Sequence, residues 1–539
     1  MMNMRKIFLT LLLLSSIFTI AASSKRSSSH QKSNVDWWCN RTPHPAPCKY
    51  YMRQSHYNHY HRFKHRTEFR SVLLNVALDK ALFMQKQAHS LPIQNTTMKQ
   101  KTVFGDCLKL YDNTVFHLNR TIQGLKYHQT RNCTAFDAQT WLSTALTNIE
   151  TCKKWANAMK ISALTDPSSC PSINVSEIIS NTLAVNSVFL KYQRDHLTED
   201  YTEDAFPSWF SVTDRRLLQD SGVKANLVVA KDGSGHFRSV QAAIDAAAKR
   251  RLKTRFVIHV KRGVYRENIE VDKTNDNIML VGDGTRNTII ASGRSVQQGY
   301  TTYSSATAGI DGLHFIARDI TFMNTAGPLK GQAVALRSAS DLSVFYRCSI
   351  IGYQDTLMAH AQRQFYRACY IYGTVDFIFG NAAVVFQNCV ILARKPNNGQ
   401  ANMITAQGRG DPFQNTGISF HNCQIRAAPD LKPLVNQYKT FLGRPWQQYS
   451  RVVVMKSYID SLVSPTGWSP WGNTNFAQST LFYGEYKNFG PGSSTKNRVR
   501  WPGYHVLTSP AQASPFTVNS LLAGGTWLPA TGVPFTSGL

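Results

Sequence analysis

Asp355 and Asp376 each stand seven residues beyond a cysteine, Cys348 and Cys369, that opens a Cys-x-Ile unit. If those units stack in register, the two carboxylates lie one above the other on neighbouring coils of chain. Stacked carboxylates cannot both ionise without strong repulsion. One pKa rises and the other stays low, so a single site holds an acid and an anion. Gln332, 23 residues before Asp355, falls one coil earlier on the same strip. Spacing alone leaves a second possibility, a ladder of structural aspartates bonded to turns. Several other chemistries have no motif in the sequence. It contains no Gly-x-Ser-x-Gly elbow, no His-Glu-x-x-His, no Cys-x-x-Cys and no Gly-x-x-x-x-Gly-Lys. The glycine-rich stretch from Lys231 to His236 lacks the features of a nucleotide loop and predicts a turn before a helix at 240–248.

The elements that position this pair announce themselves as repeats. Cys348-Ser-Ile350, Cys369-Tyr-Ile371, Cys389-Val-Ile391 and Cys423-Gln-Ile425 follow one another at spacings of 21, 20 and 34 residues. Asp319-Ile320 and Ser457-Tyr-Ile459 look like degenerate copies. A period near 20 with one strand cluster per repeat, interrupted by inserted loops, describes a parallel β-helix. Equivalent residues then lie about 4.8 Å apart, within the separation a disulfide tolerates. Cys369 and Cys389 could therefore bridge adjacent coils, and a ladder of buried free thiols is the alternative.

The first half has a different texture. Val72, Leu73, Val76, Leu78, Ala81 and Leu82 recur near a period of 3.6, as do Leu108, Leu110, Tyr111, Val115, Leu118 and Ile122. Few Gly or Pro residues interrupt them, which predicts a disulfide-pinned helix bundle. All five glycosylation sequons, at Asn40, Asn95, Asn119, Asn132 and Asn174, precede residue 180. The junction carries Arg215-Arg216-Leu217-Leu218, which reads as a linker open to proteolysis. His56, His59, His61 and His65 invite a metal, but Arg62, Lys64 and Arg66 would repel a cation, so a solvated basic face and no metal are expected.

Compartment and charge narrow the partners. A basic flank, an apolar run from Ile7 to Ala22 and small residues at 21–24 predict a signal peptide, and the run falls short of the ~20 residues needed to span a bilayer. The expected organisation is therefore a signal peptide over 1–22, a polar leader over 23–36, a helical domain over 37–200, a linker over 201–224 and a β-helix domain over 225–539. The 539 residues carry 60 Lys and Arg against 32 Asp and Glu, a net charge of +28. Secretion turns that charge away from nucleic acid and towards acidic polysaccharide. From Gln219 onward 33 basic and 17 acidic residues leave a surplus of 16.

Gly263-Val-Tyr-Arg-Glu267, Gln332-Ala-Val-Ala-Leu336, Gln354-Asp-Thr-Leu357, Asp376-Phe-Ile-Phe-Gly380 and Leu442-Gly-Arg-Pro-Trp446 appear in that order. Together they resemble the signature blocks of plant pectin methylesterases, and the likeness runs from about Asn226 to the end of the chain. The first half resembles the pectin methylesterase/invertase inhibitor domain, a four-helix bundle. That likeness implies the pairs Cys39–Cys48 and Cys107–Cys152, leaving Cys133 and Cys170 without assigned partners. Arg215-Arg216-Leu217-Leu218 resembles the site at which subtilisin-like proteases release the mature enzyme.

The resemblance implies a right-handed parallel β-helix and a two-carboxylate esterase with no cofactor. Asp376 would be the nucleophile and Asp355 the proton donor and then the base. Gln332 and Gln354 would stabilise the oxyanion. Arg444 would keep Asp376 ionised. Thr302 and Trp446 would contact substrate. The family usually has Tyr where this chain has Met358, which puts one sugar contact in doubt. The expected protein is a secreted, monomeric cell-wall pectinesterase acting on methyl-esterified homogalacturonan, with a processing protease and a proteinaceous inhibitor as further partners. The alternatives are a β-helix pectin hydrolase or lyase and a non-catalytic wall-binding or inhibitor-like protein.

Overall fold

The computed structural model describes residues 34–54, 63–91, 96–126, 133–161, 175–196, 224–251, 254–472 and 474–539. The signal segment, most of the polar leader, Arg215-Arg216-Leu217-Leu218 and the sequons at Asn95, Asn132 and Asn174 lie outside them. So do His56, His59 and His61, while His65 is exposed.

The helical half opens with α1 (Asn34–Cys39) and α2 (Pro45–Met52), joined by the Cys39–Cys48 disulfide. Four long helices follow: α3 (Arg66–Ser90), α4 (Met98–Lys126), α5 (Ala135–Ala158) and α6 (Val175–His196). Cys107–Cys152 ties α4 to α5. Local sequence fixes where α5 begins. The Thr134 hydroxyl accepts from Asp137 N at 3.0 Å and the Asp137 carboxylate accepts from Thr134 N at 2.9 Å, satisfying two of the helix's free donors. Phe69, Leu73, Val76, Leu110, Leu118, Leu142, Ile149 and Ile178 form the bundle core. Of the two sequons in described helical-half residues, Asn40 is exposed, whereas Asn119 is half-buried within α4.

The second half is a coil of three parallel sheets with eleven, seven and eight strands among the described residues. Its core is built by repetition. Ile350, Ile371, Ile391 and Ile425 align on successive strands of the eight-stranded sheet. Phe345, Tyr366, Phe386 and Phe420 stack along the eleven-stranded sheet at centroid separations of 4.6, 4.7 and 5.1 Å. Among the degenerate copies Ser457 keeps the cysteine position, whereas Ile320 occupies it in the earlier one and Phe322 takes the isoleucine position. One end of the coil is closed by α7 (Val240–Ala248), whose Val240, Ala243, Ile244 and Ala247 pack into the core. That cover keeps the first strands from offering an open apolar end.

The cysteine ladder corrects one expectation. Cys369 and Cys389 are not bridged: both are free and buried, as are Cys348 and Cys423. In-register neighbours on parallel strands point their Cβ vectors the same way, and a disulfide needs them to converge. Each sulfur lies against backbone instead, with Cys369 N donating to Cys389 Sγ at 3.4 Å and Cys369 Sγ meeting Phe345 O at 3.2 Å. The expected result is that denatured protein alkylates fully at Cys369 and Cys389 without reductant, read by peptide mass. Recovery of a peptide pair joined through them would overturn the ladder.

Candidate active site

The coil brings the two aspartates together. Leu357 and Met358 pair with Ile378 and Phe379 in the seven-stranded sheet, so Asp355 and Asp376, two residues earlier on each coil, occupy the same level of the turn entering it. Both have positive φ, +60° and +50°, an uncommon conformation that non-glycine residues hold when the surroundings enforce it. Asp355 N donates to Val375 O at 3.0 Å, locking the coils together beside the carboxylates.

Arg444 reaches the same place from much further along the chain. It lies in the strand Thr440–Pro445, in one cross-strand column with Arg337, Met358, Phe379 and Ala406. Its Nε and Nη2 donate to the two Asp376 oxygens at 2.7 and 2.6 Å, a bidentate fork. The Trp471 ring lies 4.5 Å from the guanidinium carbon. Nothing in the sequence singled out that tryptophan. Trp446 meets Phe379 edge-on at 5.9 Å, and its ring packs so close to Gly408 that a Cβ there would clash.

Gln332 lies slightly off its expected level. The repeat on this coil is 21 residues, since Leu336 pairs with Leu357, so Gln332 aligns with Tyr353 and Asp355 stands two positions further on. Ala333 N donates to Gln354 O at 3.2 Å, bringing Gln332 and Gln354 onto adjoining turns. Both are half-buried, and neither side-chain amide has a hydrogen-bond partner among the described residues. Thr302 is half-buried between Thr301 and Tyr303. Met358 is fully buried among apolar groups, so it offers no exposed sugar contact in this state.

The two carboxyls differ in their support. Burial and then the Asp376 charge push Asp355 well above the ordinary carboxylate range. Its carboxylate accepts no hydrogen bond among the described residues, so the neutral, proton-bearing form is favoured. Burial also lifts Asp376, but the Arg444 fork opposes it directly. The order of acidity is therefore set: Asp376 ionises first and Asp355 holds its proton longer.

Helix α5 lies over this cleft, a feature the sequence did not reveal. Asn381 Nδ2 donates to Thr147 Oγ1 at 2.9 Å, Gln414 Nε2 to Ser143 O at 3.0 Å, and His360 Nε2 sits 3.1 Å from Thr151 Oγ1. Lys154 Nζ stands 4.2 Å over the Trp446 ring, where burial lowers its pKa and Asp355 and Asp376 counteract that shift. Further out, Lys109 pairs with Asp311 at 2.7 Å, Asp137 with Arg363 at 2.8 Å, and Trp141 Nε1 donates to Asp341 at 2.9 Å. Tyr303, Val334, Met358, Phe379 and Ala406 join the apolar cluster of the bundle. A cavity of about 300 Å³ lined by Glu150, Lys154, His360, Asn381, Gln414 and Trp446 remains between the two halves.

Comparison with known proteins gives a consistent picture. The family model described as Pectinesterase matches residues 226–525, and that of the plant invertase/pectin methylesterase inhibitor matches residues 33–185. The chain is 60% identical over 516 residues to a probable pectinesterase/pectinesterase inhibitor 33 of Arabidopsis thaliana, covering 94% of this chain and 86% of that one. It is 52% identical to pectinesterase 2 of Citrus sinensis, covering 96% and 97%. Among solved structures, a pectin methylesterase from carrot superposes with a TM-score of 0.58 at 56% identity, covering 59% of this chain and 100% of the carrot one. A pectin methylesterase from Aspergillus niger gives 0.50 at 29% identity, covering 57% and 97%.

Proposed function

The chain belongs to the pectinesterase family, and we propose that it hydrolyses the methyl esters of homogalacturonan through two aspartates of unequal acidity. The observation that carries the mechanism is the asymmetry of the pair: Asp376 is gripped by Arg444, and Asp355 has no cation donating to it.

Asp376, ionised, attacks the ester carbonyl carbon. Negative charge gathers on the carbonyl oxygen, where the unpartnered amides of Gln332 and Gln354 can donate. As the tetrahedral adduct collapses, the C–O bond to the methoxy group breaks and Asp355 gives it a proton, releasing methanol. Asp355, now a carboxylate, takes a proton from water as that water attacks the acyl carbon. The galacturonate carboxylate leaves, Asp376 regains its charge and Asp355 its proton. Trp446 offers an apolar ring to a sugar face, and Thr302 lies on the adjoining turn.

The helical domain is the pro-part of a secreted precursor. The segment at 1–22 and the sequons support export to the cell wall, and Arg215-Arg216-Leu217-Leu218 suits a subtilisin-like protease. While α5 lies across the cleft a polysaccharide chain cannot enter, so the uncut chain is latent and the released catalytic domain acts as a monomer.

Methanol release from methylated pectin by the cleaved chain, without new reducing ends, tests the ester chemistry. Its pH profile tests the roles. Asp376 must lose its proton, so the rate rises as pH climbs through its pKa. Asp355 must keep its proton, so the rate falls as pH climbs further, giving a bell. Arg444→Ala removes the cation that favours ionised Asp376, so the acid limb moves to higher pH and kcat drops by about 10²–10³-fold. An acid limb unmoved in that variant would remove Arg444 from this role.

A further inference from the structure

The eight-stranded sheet presents a second site, at its edge with the eleven-stranded sheet. A hollow of about 370 Å³ is lined there by Asn388, Asn422, Gln424, Arg426, Tyr458 and Phe489. The rings of Tyr458 and Phe489 meet edge-on at 5.7 Å, and the Arg426 guanidinium lies 4.7 Å over Tyr458, steadied by Nε donating to Gln424 Oε1 at 2.9 Å. Phe489 is 55% exposed, and Tyr370, in the same cross-strand row as Gln424 and Tyr458, is 47% exposed.

The turn beside this hollow repeats on each coil in the left-handed region. Asn388 and Asn422 occupy it first, bonded side chain to side chain at 3.0 Å, and Lys456 and Lys487 occupy it on the next two coils. Arg347, at the same position earlier in the ladder, is neutralised by Asp319. Arg426, Lys456 and Lys487 have no ion-pair partner among the described residues. Asp460, the acidic residue on the Tyr458 strand's continuation, has its carboxylate turned to Ser461 N. Two lysines on adjacent coils, about 4.8 Å apart at the backbone, repel each other, and an anion between them removes that cost.

We propose that this face binds de-esterified galacturonan, the polyanionic product of the reaction. The identity of the polyanion rests on the pectinesterase reading. Exposed rings suit the C–H faces of sugars, and a guanidinium with two ammonium groups suits carboxylates repeated along a chain. A fully methylated chain has no charge for them to meet. From Asn388 to Arg394, at the opposite edge of the same sheet, is six residues, or about 20 Å of strand. The hollow is thus separate from the catalytic turn and would hold chain already processed.

The test uses the full-length chain, whose cleft is covered, and fluorescence anisotropy with a labelled, fully de-esterified oligogalacturonide. Binding that weakens with added salt is expected, with no binding of the methylated oligomer. Arg426→Gln/Lys456→Gln/Lys487→Gln should raise Kd about tenfold or more. Lys249→Gln/Arg251→Gln/Arg262→Gln removes equal charge near α7 and should leave Kd unchanged. Equal weakening by both triple variants, unchanged binding in the first, or equal binding of the methylated oligomer would overturn the site. Methanol release is assayed separately on the cleaved protein, so loss of one property does not mimic loss of the other.

Discussion

Asp376→Asn is expected to lower methanol release by the cleaved protein about 10⁴-fold while leaving its fold intact, as removal of a covalent nucleophile does elsewhere. The two sides of that expectation have separate physical grounds. The amide has the shape of the carboxylate but no charge and little nucleophilicity, so no acyl intermediate forms. Its oxygen still accepts from one arm of the Arg444 fork, and the Arg444 side chain is 23% exposed, so water can meet the other arm. The destabilisation of an unpaired buried charge is therefore avoided. Both halves are measurable on one sample, by methanol assay and thermal melting. Activity within tenfold of the parent with an unchanged melt would show that Asp376 is not the nucleophile.

The pair itself was legible because a β-helix converts counting into geometry. A 21-residue offset between Cys348 and Cys369 repeats between Asp355 and Asp376, and no insertion falls between them. Arg444 could not be reached that way. It is 68 residues from Asp376, and the loops between strands at 394–401 and 428–439 break the period, so only the motif likeness pointed to it. Gln332 shows the limit in miniature, since an offset of 23 was taken for one coil where register makes it 21. The thiol ladder failed for a related reason: spacing gives separation but not the direction of Cβ. The docking of the helical domain left a fainter trace. From Ala138 to Ile149, α5 carries no charged residue, and its polar side chains are Gln139, Thr140, Ser143, Thr144, Thr147 and Asn148. All are buried. A solvated helix face normally carries Lys and Glu, so a polar face without charge marks a surface meant to be covered by another polar surface.

That covering leads to the second large effect. The uncut chain is expected to release methanol at no more than about one-hundredth of the rate of the separated catalytic domain. Substrate must reach Asp376 through space that α5, Lys154 and the Thr147–Asn381 and Ser143–Gln414 contacts fill. Undocking must break the Lys109–Asp311 and Asp137–Arg363 pairs, leaving largely buried charges without partners, which makes opening rare. Cutting at Arg215-Arg216 does not by itself remove these contacts. It removes the covalent connection that keeps the bundle at high effective concentration. Activity after cutting should therefore grow on dilution, as a two-component complex does and a single chain does not. Lys154→Glu sharpens the case, because it sets a third carboxylate against Asp355 and Asp376 and weakens docking through repulsion. The uncut variant should gain methanol release several-fold, whereas the separated catalytic domain does not contain the substitution and so supplies an unchanged reference. Equal rates from cut and uncut chains at every dilution would mean that the bundle leaves the cleft unaided, and that latency is not its role.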